Sequence, residues 1–211
     1  MTGRRRFLGA GAALLLVRDV LAAGALEKGV YRVSGEARLN GAPARRGMDV
    51  KAGDVIQTGA ASEIIFVVNR DAFLMRGDSR LEVGGAAADV FRLVTGALLS
   101  VFQPGVRKTV RAQNATIGIR GTGLYVESGA DRTYVCTCYG EAELVPTGDP
   151  GAAETVRTRH HDQPRYILPK GAPRMLVRAP VVNHSDAELS LLESLVGRSP
   201  PFDPTDLGRY Y

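Results

Sequence analysis

Between residues 30 and 145 the apolar positions fall in short runs, cut by turn-forming residues at intervals of about 8–12. The pattern predicts strands over residues 30–33, 36–39, 54–57, 63–68, 72–75, 80–83, 90–94, 97–102, 108–112, 115–119, 123–128, 133–139 and 142–145. Asn40-Gly41, Gly59, Gly77-Asp78, Gly84-Gly85, Gly96 and Gly140 supply turn chemistry and positions that accept positive φ. No helical period of useful length appears before residue 185. So many short strands without crossover helices exclude a parallel α/β sheet. The expected fold is therefore all-β, a compact β-roll or solenoid-like sandwich of many short strands.

Past residue 145 the pattern changes. Residues 146–183 are rich in Pro, Gly and Arg, with two further strands expected at 154–158 and 174–177, packed on the β-body as accessories. Ser185-Asp186-Ala187-Glu188 is a capping box, in which the Ser hydroxyl accepts from the third helical amide and Glu188 reaches back. Leu189, Leu192, Leu195 and Val196 follow at helical spacing and Gly197 supplies a stop. A short C-terminal helix should therefore lay its leucine face on the β-body. Pro200-Pro201-Phe202-Asp203-Pro204 reads as an extended tail, so residues 184–211 form a helix and Pro-rich tail.

The start of the chain reads as an export signal. Arg4-Arg5-Arg6-Phe7-Leu8 resembles the twin-arginine consensus, a modest apolar stretch runs from 9 to 17, and Ala23-Gly24-Ala25 fits a cleavage site. The stretch is shorter than the roughly 20 residues a membrane helix needs, so no stable span is expected after cleavage. Residues 1–25 are thus expected to be removed and the body to be periplasmic. This also changes the meaning of the net charge of +5. Four of the 27 basic residues (Arg4, Arg5, Arg6, Arg18) and one of the 22 acidic ones (Asp19) lie in that segment, which leaves +2. No cluster of Lys and Arg with aromatics remains to track phosphates, so no nucleic-acid partner is expected.

Several stretches of the body resemble the FecR-type domain of bacterial iron-signalling regulators. They are Val50-Lys51-Ala52-Gly53-Asp54-Val55-Ile56-Gln57-Thr58-Gly59, Ala61-Ser62-Glu63-Ile64-Ile65-Phe66 and Gly96-Ala97-Leu98-Leu99-Ser100-Val101. The most specific is Ala115-Thr116-Ile117-Gly118-Ile119-Arg120-Gly121-Thr122-Gly123-Leu124-Tyr125-Val126, followed by Gly140-Glu141-Ala142. The resemblance spans residues 29–145 and implies a sensing or scaffolding module without catalytic residues. It departs from the regulators in that only a short signal precedes the domain, so an isolated module with an envelope protein partner is the expectation. Arg120-Gly121-Thr122 reads as a structural corner, with glycines allowing a tight backbone.

The resemblance leaves Cys136-Thr137-Cys138 unexplained. On a strand, residues two apart share a face, so both sulfurs point one way with Cα atoms about 6.5 Å apart. A disulfide over that link would be strained, whereas two thiolates can converge on one ion. The chain's three histidines, His160, His161 and His184, lie beyond, and Cys with His is the ligand set of zinc and of other borderline or soft metals. Adjacent His160 and His161 would face opposite sides of a strand, leaving one to reach the site, with Asp162 to orient it. The candidate ligands are therefore Cys136, Cys138, His160, His161 and His184, and the candidate cofactors Zn, Cu, Fe or haem. Two other readings stay open: a disulfide or redox dithiol, and two small buried apolar side chains.

With no nucleophile elbow, phosphate-cradling loop or H-E-x-x-H helix, the chain is expected to be non-enzymatic. The leading expectation is an exported sensing or scaffolding module, with metal or haem bound through Cys and His. A periplasmic redox dithiol protein and a structural partner of an envelope signalling system are the alternatives.

Overall fold

The computed structural model describes residues 27–202. The twin-arginine segment and the end of the tail, residues 203–211, lie outside the described residues. The described residues form fifteen strands and one α-helix. In chain order the strands are β1 (Gly29–Ser34), β2 (Ala37–Leu39), β3 (Ala42–Pro43), β4 (Val55–Thr58), β5 (Glu63–Val68), β6 (Asp71–Met75), β7 (Arg80–Gly84) and β8 (Val90–Val101). There follow β9 (Arg107–Arg111), β10 (Ala115–Arg120), β11 (Gly123–Ser128), β12 (Thr133–Pro146), β13 (Glu154–Thr158), β14 (Arg165–Ile167) and β15 (Leu176–Arg178). The helix, α1, is Asp186–Leu195. The fold is all-β with a short C-terminal helix, as the sequence pattern predicts.

Two sheets share the long strands β8 and β12. One sheet runs β1-β5-β6-β8-β11-β12-β14-β15. The other runs β3-β2-β4-β7-β8-β9-β10-β12-β13. Phe66, Phe73, Phe91, Phe102, Ile117 and Leu144 belong to the core between them. In the second sheet burial alternates, as in β7 and β10, because its outer face meets water. In the first, β6 is buried at every position and β5 at all but its first. Its far face lies under the C-terminal segment, where Ile65, Leu74, Leu99 and Val101 meet Leu189, Leu192, Leu195 and Val196. We call it the covered sheet.

The apolar pattern places breaks at 95–96 and 140–141, yet the hydrogen bonding runs through both. Residues Val90 to Thr95 pair with β7 in the open sheet, while Gly96 to Val101 pair with β11 in the covered one. Likewise Thr133 to Tyr139 pair with β11, and Gly140 onward with β13. Each strand passes between layers at a glycine of positive φ, +87° at Gly96 and +90° at Gly140. A Cβ on Gly140 would come within 2.8 Å of the Gly121 carbonyl oxygen and 3.1 Å of Thr122 Oγ1. Thr122 Oγ1 donates to the Glu141 carbonyl at 2.8 Å. The Arg120-Gly121-Thr122 corner thus braces the crossing of β12, the structural role expected for it.

Gly140→Ala combines backbone strain with this clash and should destabilise the fold by about 2 kcal/mol or more. Gly41→Ala, where φ is +82° and nothing lies within 4 Å of the new Cβ, should cost about 1 kcal/mol, from backbone strain alone. Urea unfolding of the two variants checks this; equal losses would remove the crossing from the account.

Candidate functional site

Cys136 and Cys138 lie on the covered-sheet half of β12, just before Gly140, and face the C-terminal cover rather than the interlayer core. Alternation on the strand puts both there, as the spacing predicts. Both are free thiols and wholly buried. The chain then reaches them twice more. From β13, which pairs beyond the crossing, it passes to β14, which pairs before it, so the connecting loop runs alongside Cys138. The His161 amide donates to the Cys138 carbonyl at 2.8 Å. His184, immediately before the helix cap Ser185, approaches from the cover, with its ring stacked on Tyr125 at a centroid distance of 4.6 Å.

These elements bring one ligand atom each from Cys136, Cys138, His161 and His184 within 4.8 Å of one another, all four residues buried. Cys136 Sγ is 3.3 Å from His161 Nδ1, and His161 Nδ1 is 3.1 Å from His184 Nε2. In a tetrahedral zinc site the nitrogen–sulfur and nitrogen–nitrogen edges are about 3.5 Å and 3.3 Å, given bonds of about 2.3 and 2.05 Å.

The outer contacts fix which atoms face inward. His184 Nδ1 lies 2.7 Å from the Val182 carbonyl, which only accepts, so Nδ1 carries hydrogen and Nε2 presents a lone pair. His161 Nε2 lies 3.0 Å from Asp186 Oδ1, so it too donates outward and Nδ1 presents its lone pair. Two nitrogen acceptors and a sulfur therefore meet in a dry space. A cation between them, a proton or a metal ion, is required to make that contact favourable.

The thiols respond in opposite directions. Burial pushes Cys136 up, but hydrogen bonds from Cys138, His161 and His184, with the His184 charge, outweigh it and hold the thiol well below its ordinary value. Burial, then the hydrogen bond and charge of Cys136, then the charge of Asp186, push Cys138 well above it. Burial lowers His161, while Cys136 and Asp186 more than offset this and raise it. Without a metal, Cys136 is thus the more acidic of the two buried thiols, beside an imidazole, His161, that is easier to protonate than usual.

His160 stands outside the four-atom group. Its Nε2 is 2.9 Å from each Asp186 oxygen, and its ring stacks on Phe202 at 4.4 Å. One histidine of the pair reaches the sulfurs, as expected, but not by strand alternation: both lie beyond β13 in a turn where His161 has φ of +53°. Asp162 does not orient a ligand; it is exposed and accepts from the Arg159 amide. That role falls to Asp186, which binds both His160 and His161. The sequence marks Asp186 only as part of a capping box, and an acid two residues past His184 was the one signal available. As the first residue of α1 it is also favoured by the helix dipole.

The comparisons with known proteins bear on the fold. No family model and no curated protein matches the chain. Two solved structures from Parabacteroides distasonis ATCC 8503, each provisionally described as an anti-sigma factor, are similar to it. The 1.65 Å structure has a TM-score of 0.50 at 8% identity, covering 66% of this chain and 64% of that one. The 2.50 Å structure has a TM-score of 0.49 at 8% identity, covering 59% and 58%. The match thus spans about three fifths of the length of those structures. At this identity the likeness is one of fold alone.

Proposed function

We propose that this chain is an exported, non-enzymatic FecR-like module of the periplasm that holds one zinc-class metal ion through Cys136, Cys138, His161 and His184. The observation that carries this reading is the meeting of His161 Nδ1 and His184 Nε2 at 3.1 Å, both turned inward by outward hydrogen bonds. A structural metal site needs four ligands with no open position, and its histidines need acceptors on their far nitrogens. The candidate centre has both. Two sulfurs and two imidazoles suit zinc in tetrahedral geometry better than calcium or magnesium, which take oxygen. Twin-arginine export, which moves folded proteins, would let the ion be inserted before the site reaches an oxidising compartment. Sensing or scaffolding beside an envelope regulatory protein is the role that the FecR-type motifs and the fold likeness favour. A redox dithiol role is disfavoured by burial, because exchange needs an accessible sulfur.

Protein purified under reducing conditions should carry about one zinc per chain. Cys136→Ser, Cys138→Ser, His161→Ala and His184→Ala should each lower zinc affinity by about 100-fold or more, and Asp186→Asn by about 10–100-fold. His160→Ala should leave the stoichiometry at one. Metal analysis and chelator competition check this series. A protein that takes up no zinc, cobalt or copper while its thiols are reduced would contradict the reading, and one that instead cycles between dithiol and disulfide would support the redox alternative.

The metal-free protein offers a separate check. Because Cys136 is held low and Cys138 high, a single thiolate should persist as pH falls below the ordinary thiol value, and no second one should form as pH rises through it. The ultraviolet thiolate band should vanish at neutral pH in Cys136→Ser and survive in Cys138→Ser. Equal loss in both would show that the asymmetry is absent.

A further inference from the structure

We propose that the metal ion is a latch on the C-terminal cover, so that losing it releases α1 and bares the apolar face of the covered sheet; this rests on the metal site proposed above. The ligands are divided between the parts it would join. Cys136 and Cys138 belong to β12 of the body, His161 to the loop between β13 and β14, and His184 to the segment that leads into α1. Asp186 joins the same centre to the helix itself, since it is the first residue of α1 and binds His160 and His161.

Apart from the metal centre, the cover is held by the packing of Leu189, Leu192, Leu195 and Val196 on the sheet and by scattered polar contacts. With ten residues, α1 is shorter than an isolated helix needs to persist in water. Its approach from residue 179 to 185 has no regular structure; Tyr134 Oη donates to Pro180 O and accepts from the Val182 amide, while Asn183 accepts from Arg76 and donates to Glu127. At the helix start Arg76 bridges Glu188 and Glu63 in a partly buried contact. At its end Glu193 binds Tyr139 and Arg198. Take the ion away and a single proton between His161 Nδ1 and His184 Nε2 is all that can join the two rings at this centre, in place of four metal bonds. His184 is the partner free to move, since His161 is pinned to β12 through its amide.

The face beneath is a continuous strip of Ile65, Val67, Ala72, Leu74, Leu99 and Val101. It already accommodates one amphipathic helix with leucines three residues apart. Release would present it to another, giving a metal-sensing module an output: a docking strip for a partner's amphipathic helix, closed while metal is bound.

Hydrogen exchange on the full chain, zinc-loaded and after chelation under reducing conditions, tests the latch. The amides of Leu189–Leu195 should exchange roughly tenfold faster or more without zinc, while those of β5, β6 and β10 keep their protection, and zinc should restore the slow rate. His184→Ala should exchange fast in that helix with or without zinc. Unchanged protection of α1 in protein that demonstrably binds and loses zinc would overturn the latch and leave the metal site standing. Loss of protection throughout the β-body would also overturn it, because the ion would then hold the whole fold. Failure to bind zinc at all would overturn both readings.

Discussion

Everything particular to this protein depends on a contact that is unfavourable by itself. His161 and His184 turn lone pairs toward each other beside the Cys136 sulfur, in a space from which water is excluded. Each ring is committed by an outward hydrogen bond, to Asp186 and to the Val182 carbonyl, so neither can simply swap its proton. Buried polar groups are costly unless satisfied. Here satisfaction requires a positive charge at the point where four side chains converge. A proton meets the demand for one pair; a metal ion meets it for all four.

The β-body makes that convergence possible through its crossings. At Gly140, β12 leaves one sheet for the other, and the strands that pair with its two halves, β14 and β13, must be joined across the corner. The connecting loop therefore passes next to Cys138 and carries His161 with it. The second histidine comes from a chain segment that returns over the covered sheet because that sheet is apolar on both faces and needs a cover. Site and cover have one cause. A sheet buried on both sides has an inner face for the core and an outer face that the C-terminal segment closes.

Much of this was legible in the sequence. Turn residues and alternation locate nearly every strand, and the capping box at Ser185 gives the start of the helix to the residue. The uninterrupted run Ile64-Ile65-Phe66-Val67-Val68 already marks a strand buried on both faces. The Cys136–Cys138 spacing fixes their common face. What escaped was long-range. Continuity of β8 and β12 through Gly96 and Gly140 depends on which neighbours they pair with, not on local pattern. Strand β14 is only three residues long and follows a proline, so it leaves little periodic signal. Asp186 was hidden because its local role, an acid in a helix's first turn, is common and sufficient by itself. Its partners lie about 25 residues away in sequence and meet it only because β13 and β14 flank the same strand.

X-ray absorption at the zinc edge of the loaded protein reads the ligand set itself. A centre of Cys136, Cys138, His161 and His184 should give two sulfurs at about 2.3 Å and two imidazole nitrogens at about 2.0–2.1 Å. A shell of oxygen and nitrogen without sulfur, or one sulfur with an exchangeable water, would contradict it.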